Sequence, residues 1–342
     1  MSEWKKCTLG DVITLQRGHD LTYAQMKNGD IPVAGSNGII GYHSSKTTNR
    51  PCVTIGRSGS IGNAFFYDCD CWAHNTVLYV KDFKTSNPKY IYYLLKNLDF
   101  TQFNAGSAVP TLNRNHIHPL SINIPLFNEQ RDIAEILSSL DDKIDLLTRQ
   151  NITLEALAQT YFRQWFVDNG INEEIELGNL AMVSTGKGLN KDKYNDCGKY
   201  PVMGANGKIG RTDEYLLDEE VILTGRVGTH GKIFLINSKV WISDNALIIK
   251  PMKNLYKYAL YFLLQSLDYE SLNVGSTQPL ITQTDLKNQT IFASNMLFER
   301  FHDKVAIYFK KIEHNNAQIQ TLQKLRDTLL PKLISGEVKI HA

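Results

Sequence analysis

The stretch IPVAGSNGIIGY (Ile31–Tyr42) is written a second time as YPVMGANGKIGR (Tyr200–Arg211). Pro-Val, a variable residue, Gly, Ser or Ala, Asn-Gly, a variable residue, Ile and Gly recur in one order, 169 positions apart from Pro32 to Pro201. The same offset recurs along the chain. IGRSGSIGN (Ile55–Asn63) meets TGRVGTHGK (Thr224–Lys232), Trp72 meets Trp241, and LLKNLD (Leu94–Asp99) meets LLQSLD (Leu263–Asp268). Leu9-Gly10 meets Leu177-Gly178, and Leu154-x-x-Leu157 meets Leu322-x-x-Leu325, at an offset of 168. A period this long is not a solenoid repeat. The chain reads as one globular region plus a helix, duplicated in tandem.

Its 342 residues suffice for two or three domains with cores of their own, and the apolar fraction of 42% is that of a soluble globular protein. No apolar run reaches bilayer-spanning length, and MSEWKKCTLGD has no signal core, so the expected location is cytoplasmic. Five scattered cysteines agree with reduced thiols. Cys69-Asp-Cys71 has no second ligand pair at metal spacing. The net charge of +2 comes from 16 basic and 16 acidic residues in 1–170 and 21 and 19 in 171–342. Binding to nucleic acid therefore requires basic residues gathered on one face, or charge supplied by a partner.

Each copy has two textures. The first is rich in Gly, Asn and aromatic residues. PCVTIG, NTVLYV, EVILTG and NALIIK predict strands, and PKYIYYLLKNL and YKYALYFLLQSL predict one helix per copy. The expected class is therefore a mixed α/β (α+β) domain. The second texture begins at Glu129, where Gly and Pro all but vanish through Phe166. Apolar residues step by four and three through Ile133, Leu137, Leu140, Ile144, Leu147, Leu154, Ala158 and Tyr161, with Asn151 in the one gap. The second copy gives Val305, Phe309, Ile312, Ile319, Leu322 and Leu329, with Asn316 in the gap and Pro331 and Gly336 as stops. A helix of roughly 55 Å with an apolar stripe needs a partner, and the other repeat supplies one. The plainer alternative is two helices that each close a domain. Lone Asn residues at core positions favour pairing, because they fix register.

Catalytic patterns do not survive inspection. NPKY (Asn87–Tyr90) departs from the Asn-Pro-Pro-Tyr of adenine-N6 methyltransferases at Lys89, and reads better as an N-cap followed by Pro at the first helical position. GRVGTHGK (Gly225–Lys232) has the wrong spacing for a phosphate loop. What persists is a set of polar, Gly-flanked loops whose residue types read base edges and phosphates. In the first copy the candidates are Arg17, Ser36, Asn37, Arg57, Ser58, Asn75, Ser107, Thr111, Asn113 and Arg114. In the second they are Lys187, Asn206, Lys208, Arg226, Thr229, His230, Asn245, Ser276, Thr277 and Gln278. The alternative is that these loops are tight turns retained by duplication. Arg57 and Arg226 are the leading candidates for contact.

LSINIPLFNEQRDIAEILSSLDDKIDLL (Leu120–Leu147) resembles the central conserved segment of type I restriction-modification specificity subunits, and LRDTLLPKLISGEVKI (Leu325–Ile340) resembles their C-terminal one. Ser107–Asn113 also fits, although TIFASNMLFER replaces the IPLFNEQ signature in the second copy. The resemblance implies target-recognition domains at 1–127 and 169–297, and long conserved helices at 128–168 and 298–342 that pair as an antiparallel coiled coil. It implies a non-catalytic subunit that reads a bipartite double-stranded DNA target with a helical ruler between its halves. It also implies recruitment of two methyltransferase subunits and of restriction subunits. No cofactor is expected in this subunit, with S-adenosylmethionine, ATP and Mg2+ on the partners. Ile136, Leu146, Leu157, Phe162 and Phe166, which widen the apolar stripe, are the expected partner-binding residues. The competing classes are a stand-alone modification enzyme and a structural coiled-coil adaptor.

Overall fold

A computed structural model describes residues 4–103, 111–168, 173–227, 231–269 and 280–340. The chain divides into two compact units, residues 1–148 with 316–342, and residues 149–315.

In the first unit the strands are β1 (Lys5–Thr8), β2 (Thr14–Arg17), β3 (Ile31–Gly35), β4 (Gly38–His43), β5 (Cys52–Gly56), β6 (Ala64–Tyr67), β7 (Trp72–Ala73), β8 (Val77–Asp82) and β9 (Ser121–Ile124). They form a four-stranded antiparallel sheet ordered β2-β8-β5-β6, a three-stranded sheet ordered β4-β3-β7 and a β1-β9 pair. Its helices are α1 (Leu9–Val12), α2 (Pro88–Asn97), α3 (Arg114–Ile117) and the first part of α4 (Phe127–Phe162).

The second unit adds β10 (Glu174–Glu176), β11 (Ala181–Thr185), β12 (Tyr200–Gly204), β13 (Gly207–Thr212), β14 (Val221–Gly225), β15 (Ile233–Ile236), β16 (Trp241–Ile242), β17 (Ala246–Pro251) and β18 (Thr290–Phe292). It also holds α5 (Lys257–Ser266), α6 (Gln283–Lys287) and the first part of α7 (Asn295–Ser335). Its sheets are β11-β17-β14-β15, β13-β12-β16 and β10-β18. The repeat extends to register: Thr54 faces Tyr79 and Leu223 faces Ile248, each pair displaced by the sequence offset. The β3–β4 bulge after Val33 recurs after Val202 in β12–β13.

Local signals account for the elements. Asn87 caps α2, its side chain accepting from the Tyr90 N–H at 3.1 Å, with Pro88 at the first helical position where no N–H is needed. α2 buries Tyr90, Ile91, Leu94 and Leu95 against the four-stranded sheet, and Leu15, Ile55 and Leu78 complete that core. The start of α4 (Ile133, Ala134, Leu137) and the end of α7 (Leu330, Leu333, Ile334) bury into the same core. In this unit α4 and α7 are joined by Arg326, whose Nη1 donates to Asp141 Oδ1 at 2.7 Å, while the Tyr93 hydroxyl donates to Asp141 Oδ2 at 2.7 Å.

In the second unit the two long helices run antiparallel. Asn151 meets Asn315, Tyr161 stacks with Tyr308 at 6.5 Å, and Trp165, just past the end of α4, meets Phe301 at 6.2 Å. No helix among the described residues is long and apolar enough to cross a membrane.

Three expectations are corrected. Phe162 and Phe166 do not face a partner: they are 4% and 5% exposed, because they stack on one another at 5.1 Å and pack on Phe262, Phe298 and Phe301. Ile136, Leu146 and Leu157 are the ones left exposed. The buried polar residue of α7 is Asn315 and not Asn316, which is exposed. Pro331 does not stop α7, which runs on to Ser335. Burial of Leu333 and Ile334 offsets the hydrogen bond that Pro331 cannot donate. Gly336 ends the helix at φ +75°, with the Trp4 indole so close that a Cβ there would stand 3.0 Å from it.

Candidate nucleic-acid interface

The repeated Pro-Val…Asn-Gly pattern is a β-hairpin. In the first unit Ser36 and Asn37 form the tip between β3 and β4, and Gly38 follows at φ +105°. That is a conformation side chains resist, which explains the Asn-Gly pair. In the second unit Asn206 is exposed at the tip, Gly207 has φ +112° and Lys208 is exposed on β13.

Backbone bonds stitch the other candidate loops together. The Arg57 and Ser58 N–H groups donate to the Thr76 carbonyl at 2.8 and 3.2 Å. The Arg57 carbonyl accepts from Leu112 N–H at 2.8 Å, and Ser58 bridges to Thr111. The Ser36 N–H donates to Thr76 Oγ1 at 3.3 Å, and that hydroxyl is 3.0 Å from His74 Nδ1. Gly18 lets the end of β2 reach the same turn, since a Cβ there would lie 2.0 Å from the His74 carbonyl oxygen.

On this frame stands a polar quartet of three charged side chains and one amide. Arg57 Nη1 donates to the Asn75 carbonyl at 3.2 Å, the Asn75 amide donates to the Asp20 carboxylate, and Arg17 pairs with Asp20 at 3.2 Å. The Asn75 bond, and then the charges of Arg17, His74 and Arg57, hold the Asp20 carboxyl below its usual range. Burial, then Arg17, pushes the Arg57 guanidinium down. The first unit thus brings together Arg17, Ser36, Arg57, Ser58, Asn75 and Thr111. Asn113 caps α3 by accepting from Asn115 N–H at 3.0 Å, and Arg114 follows, exposed, in the first turn.

The second unit repeats the frame. The Arg226 N–H donates to the Asn245 carbonyl at 2.9 Å, Ile281 N–H donates to the Arg226 carbonyl at 3.0 Å, and Val227 bridges to Leu280. Lys187 N–H donates to the Ile242 carbonyl at 2.8 Å, and the Lys187 carbonyl accepts from the Trp241 indole at 2.8 Å. Arg226 Nε finds no hydrogen-bond partner among the described residues. Ser107, Thr229, His230, Ser276, Thr277 and Gln278 lie outside the described residues.

Asn75 and Asn245, the paired-looking Asn candidates of the two copies, are not equivalent positions. Arg57 bonds to Thr76 where Arg226 bonds to Asn245, so Asn245 corresponds to Thr76, and Asn75 corresponds to Asp244. Asp20, His74, Thr76 and Asp244 belong to the surface but were not among the sequence candidates. Only Arg17 and Asp20, three apart, offered a local hint.

Hydrogen-bonding side chains on turns held by backbone bonds, presented once per unit, define a duplicated reader of polar surfaces. The family model for the type I restriction modification DNA specificity domain matches residues 1–156 and 171–292. The chain belongs to that family. It is a non-catalytic specificity subunit whose role is DNA target recognition. It is 27% identical over 300 residues to the type I restriction enzyme MjaIX specificity subunit of Methanocaldococcus jannaschii, covering 74% of this chain and 69% of that one. It is 28% identical over 152 residues to the EcoprrI specificity subunit of Escherichia coli, covering 43% and 37%. A crystal structure of the type I restriction-modification S subunit from M. genitalium shares the fold with a TM-score of 0.68 at 20% identity, covering 97% of this chain and 96% of that one.

Proposed function

We propose that this subunit reads a bipartite DNA target, one half with each unit, and that the paired helices set the spacer between the halves. The observation that carries the reading is the recurrence of one loop frame in both units: Arg57 to Thr76 and Leu112, and Arg226 to Asn245 and Ile281. Side chains on such a frame can differ while the backbone keeps them in place, so two half-sites of different sequence are read by one architecture. The exposed Ile136, Leu146 and Leu157 on α4 dock methyltransferase subunits, two per chain, and restriction subunits join them. S-adenosylmethionine, ATP and Mg2+ are held by those partners.

The test is co-expression with the cognate methyltransferase subunit, followed by mapping of methylated adenines. The expected result is a split target and two methyltransferase chains per specificity chain. Arg57→Ala should relax preference in one half-site and Arg226→Ala in the other. A contiguous target, or a stable complex with one methyltransferase only, would count against the reading.

A further inference from the structure

The corrected equivalence exposes an exchange between the two units. In the first, the Gly18 N–H donates to the Val77 carbonyl at 3.0 Å and the His19 N–H to the Ala73 carbonyl at 2.7 Å. In the second, the Gly186 N–H donates to the Ala246 carbonyl at 3.1 Å and the Lys187 N–H to the Ile242 carbonyl at 2.8 Å. His19 therefore corresponds to Lys187, and the next residue, Asp20, to Gly188. Opposite them, Asn75 corresponds to Asp244. The first unit carries its carboxylate on the strand-end turn and an amide across from it. The second carries glycine on that turn and the carboxylate across from it. The two positions are adjacent in both. Asn75 bonds to Asp20 in one, and a Cβ built on Gly188 would stand 3.6 Å from Asp244 Oδ2 in the other. Asp20 and Asp244 are both exposed. The position of the acid in the chain has moved, while its place in the fold has not.

A carboxylate is an unfavourable group to hold against phosphates, and it is only an acceptor. The groups on DNA that reward it are the exocyclic amines of cytosine (N4) and adenine (N6) in the major groove. Arg17 and Arg57 flank Asp20 and leave the local charge positive, so the acid is presented without making the surface acidic. We propose that Asp20 and Asp244 are specificity-determining residues, each accepting a hydrogen bond from the exocyclic amine of one base in the half-site read by its unit. The inference rests on the split-target reading above.

The experiment uses the assembled methyltransferase complex and a DNA library with both half-sites randomised. Asp20→Asn keeps shape and removes the charge. It should reduce selectivity for an amine-bearing base about tenfold or more at one position of one half-site, as loss of a base contact does. Asp244→Asn should do the same in the other half-site only. Gly188 has no left-handed φ and has room for a Cβ. The double variant Gly188→Asp with Asp244→Asn therefore rebuilds the first unit's arrangement, and should recover the preference that Asp244→Asn loses. Unchanged preference in both single variants would overturn the proposal. So would uniformly tighter binding to all sequences, since that marks an acid acting only by repelling phosphate. A wild-type complex with no split preference would overturn the underlying reading as well, which separates the two failures.

Discussion

The Asn315 side-chain amide donates to Asn151 Oδ1 at 2.8 Å and to Gln150 Oε1 at 2.9 Å, from a position with no exposed surface. An amide buried between two helices fixes their alignment, because any slip would leave it without partners. Asn315→Leu should therefore leave stability equal or raise it by about 1 kcal/mol, while allowing other helix pairings. Denaturant unfolding together with light scattering checks this, with concentration-dependent self-association expected in the variant. A monodisperse variant destabilised by more than about 2 kcal/mol would show that the bonds stabilise the pair outright.

Arg326 and Asp141 form a largely buried pair, with side-chain exposures of 17% and 27%, and the Tyr93 hydroxyl satisfies the second carboxylate oxygen. Removing the cation alone leaves a part-buried carboxylate with one donor. Arg326→Ala should destabilise the first unit by about 2 kcal/mol, and Asp141→Asn by less. A double-mutant cycle measures the coupling, and additive losses would contradict the assignment.

His118 Nε2 accepts from the Leu15 N–H at 3.0 Å, which requires a neutral ring. Burial first, and then Arg114 and Lys84, hold its pKa below the ordinary histidine value. The unfolded chain therefore takes up this proton at a higher pH than the folded one. Stability is complete above about pH 6.5 and falls as pH drops through the ordinary value toward the lowered one. Between about pH 7.5 and 5.5 the wild type should lose more stability than His118→Gln, whose amide oxygen can accept the same bond at either pH. Equal losses in urea unfolding would remove His118 as the cause.

Inserting four residues after Asp145, close to one helical turn of about 3.6 residues, keeps the stripe nearly in phase and lengthens α4 by about 6 Å. At about 3.4 Å per base pair, the target spacer should grow by one or two base pairs with both half-sites unchanged. A two-residue insertion turns the stripe by roughly 200° and should disrupt folding or partner binding. Methylome mapping reads the outcome. An unchanged spacer with full activity in the four-residue variant would mean the helices do not set the distance.

The duplication, the strands, the Asn87 cap and the long helices were legible because they rest on local patterns. A period of two or of three and four, an Asn-Gly pair and an offset of 169 are properties of neighbouring residues or of the chain compared with itself. Tertiary structure decided which side of those patterns is covered. Phe162 and Phe166 lie on a stripe that reads as partner-facing, yet the second unit's own aromatic residues remove them from water. Asn315, next to the expected Asn316, is the residue buried, because packing between helices selects the rotation. Pro331 reads as a stop, yet the buried side chains beyond it carry the helix on. The matching of Asp20 to Gly188, and with it the exchange of a carboxylate between Asp20 and Asp244, depends on hydrogen bonds between turns more than fifty residues apart. The offset of 169 at Trp72 and Trp241 carries Asn75 to Asp244, but the offset changes from 168 to 169 between Leu9 and Pro32, so only the bonds that close the fold pair Asp20 with Gly188.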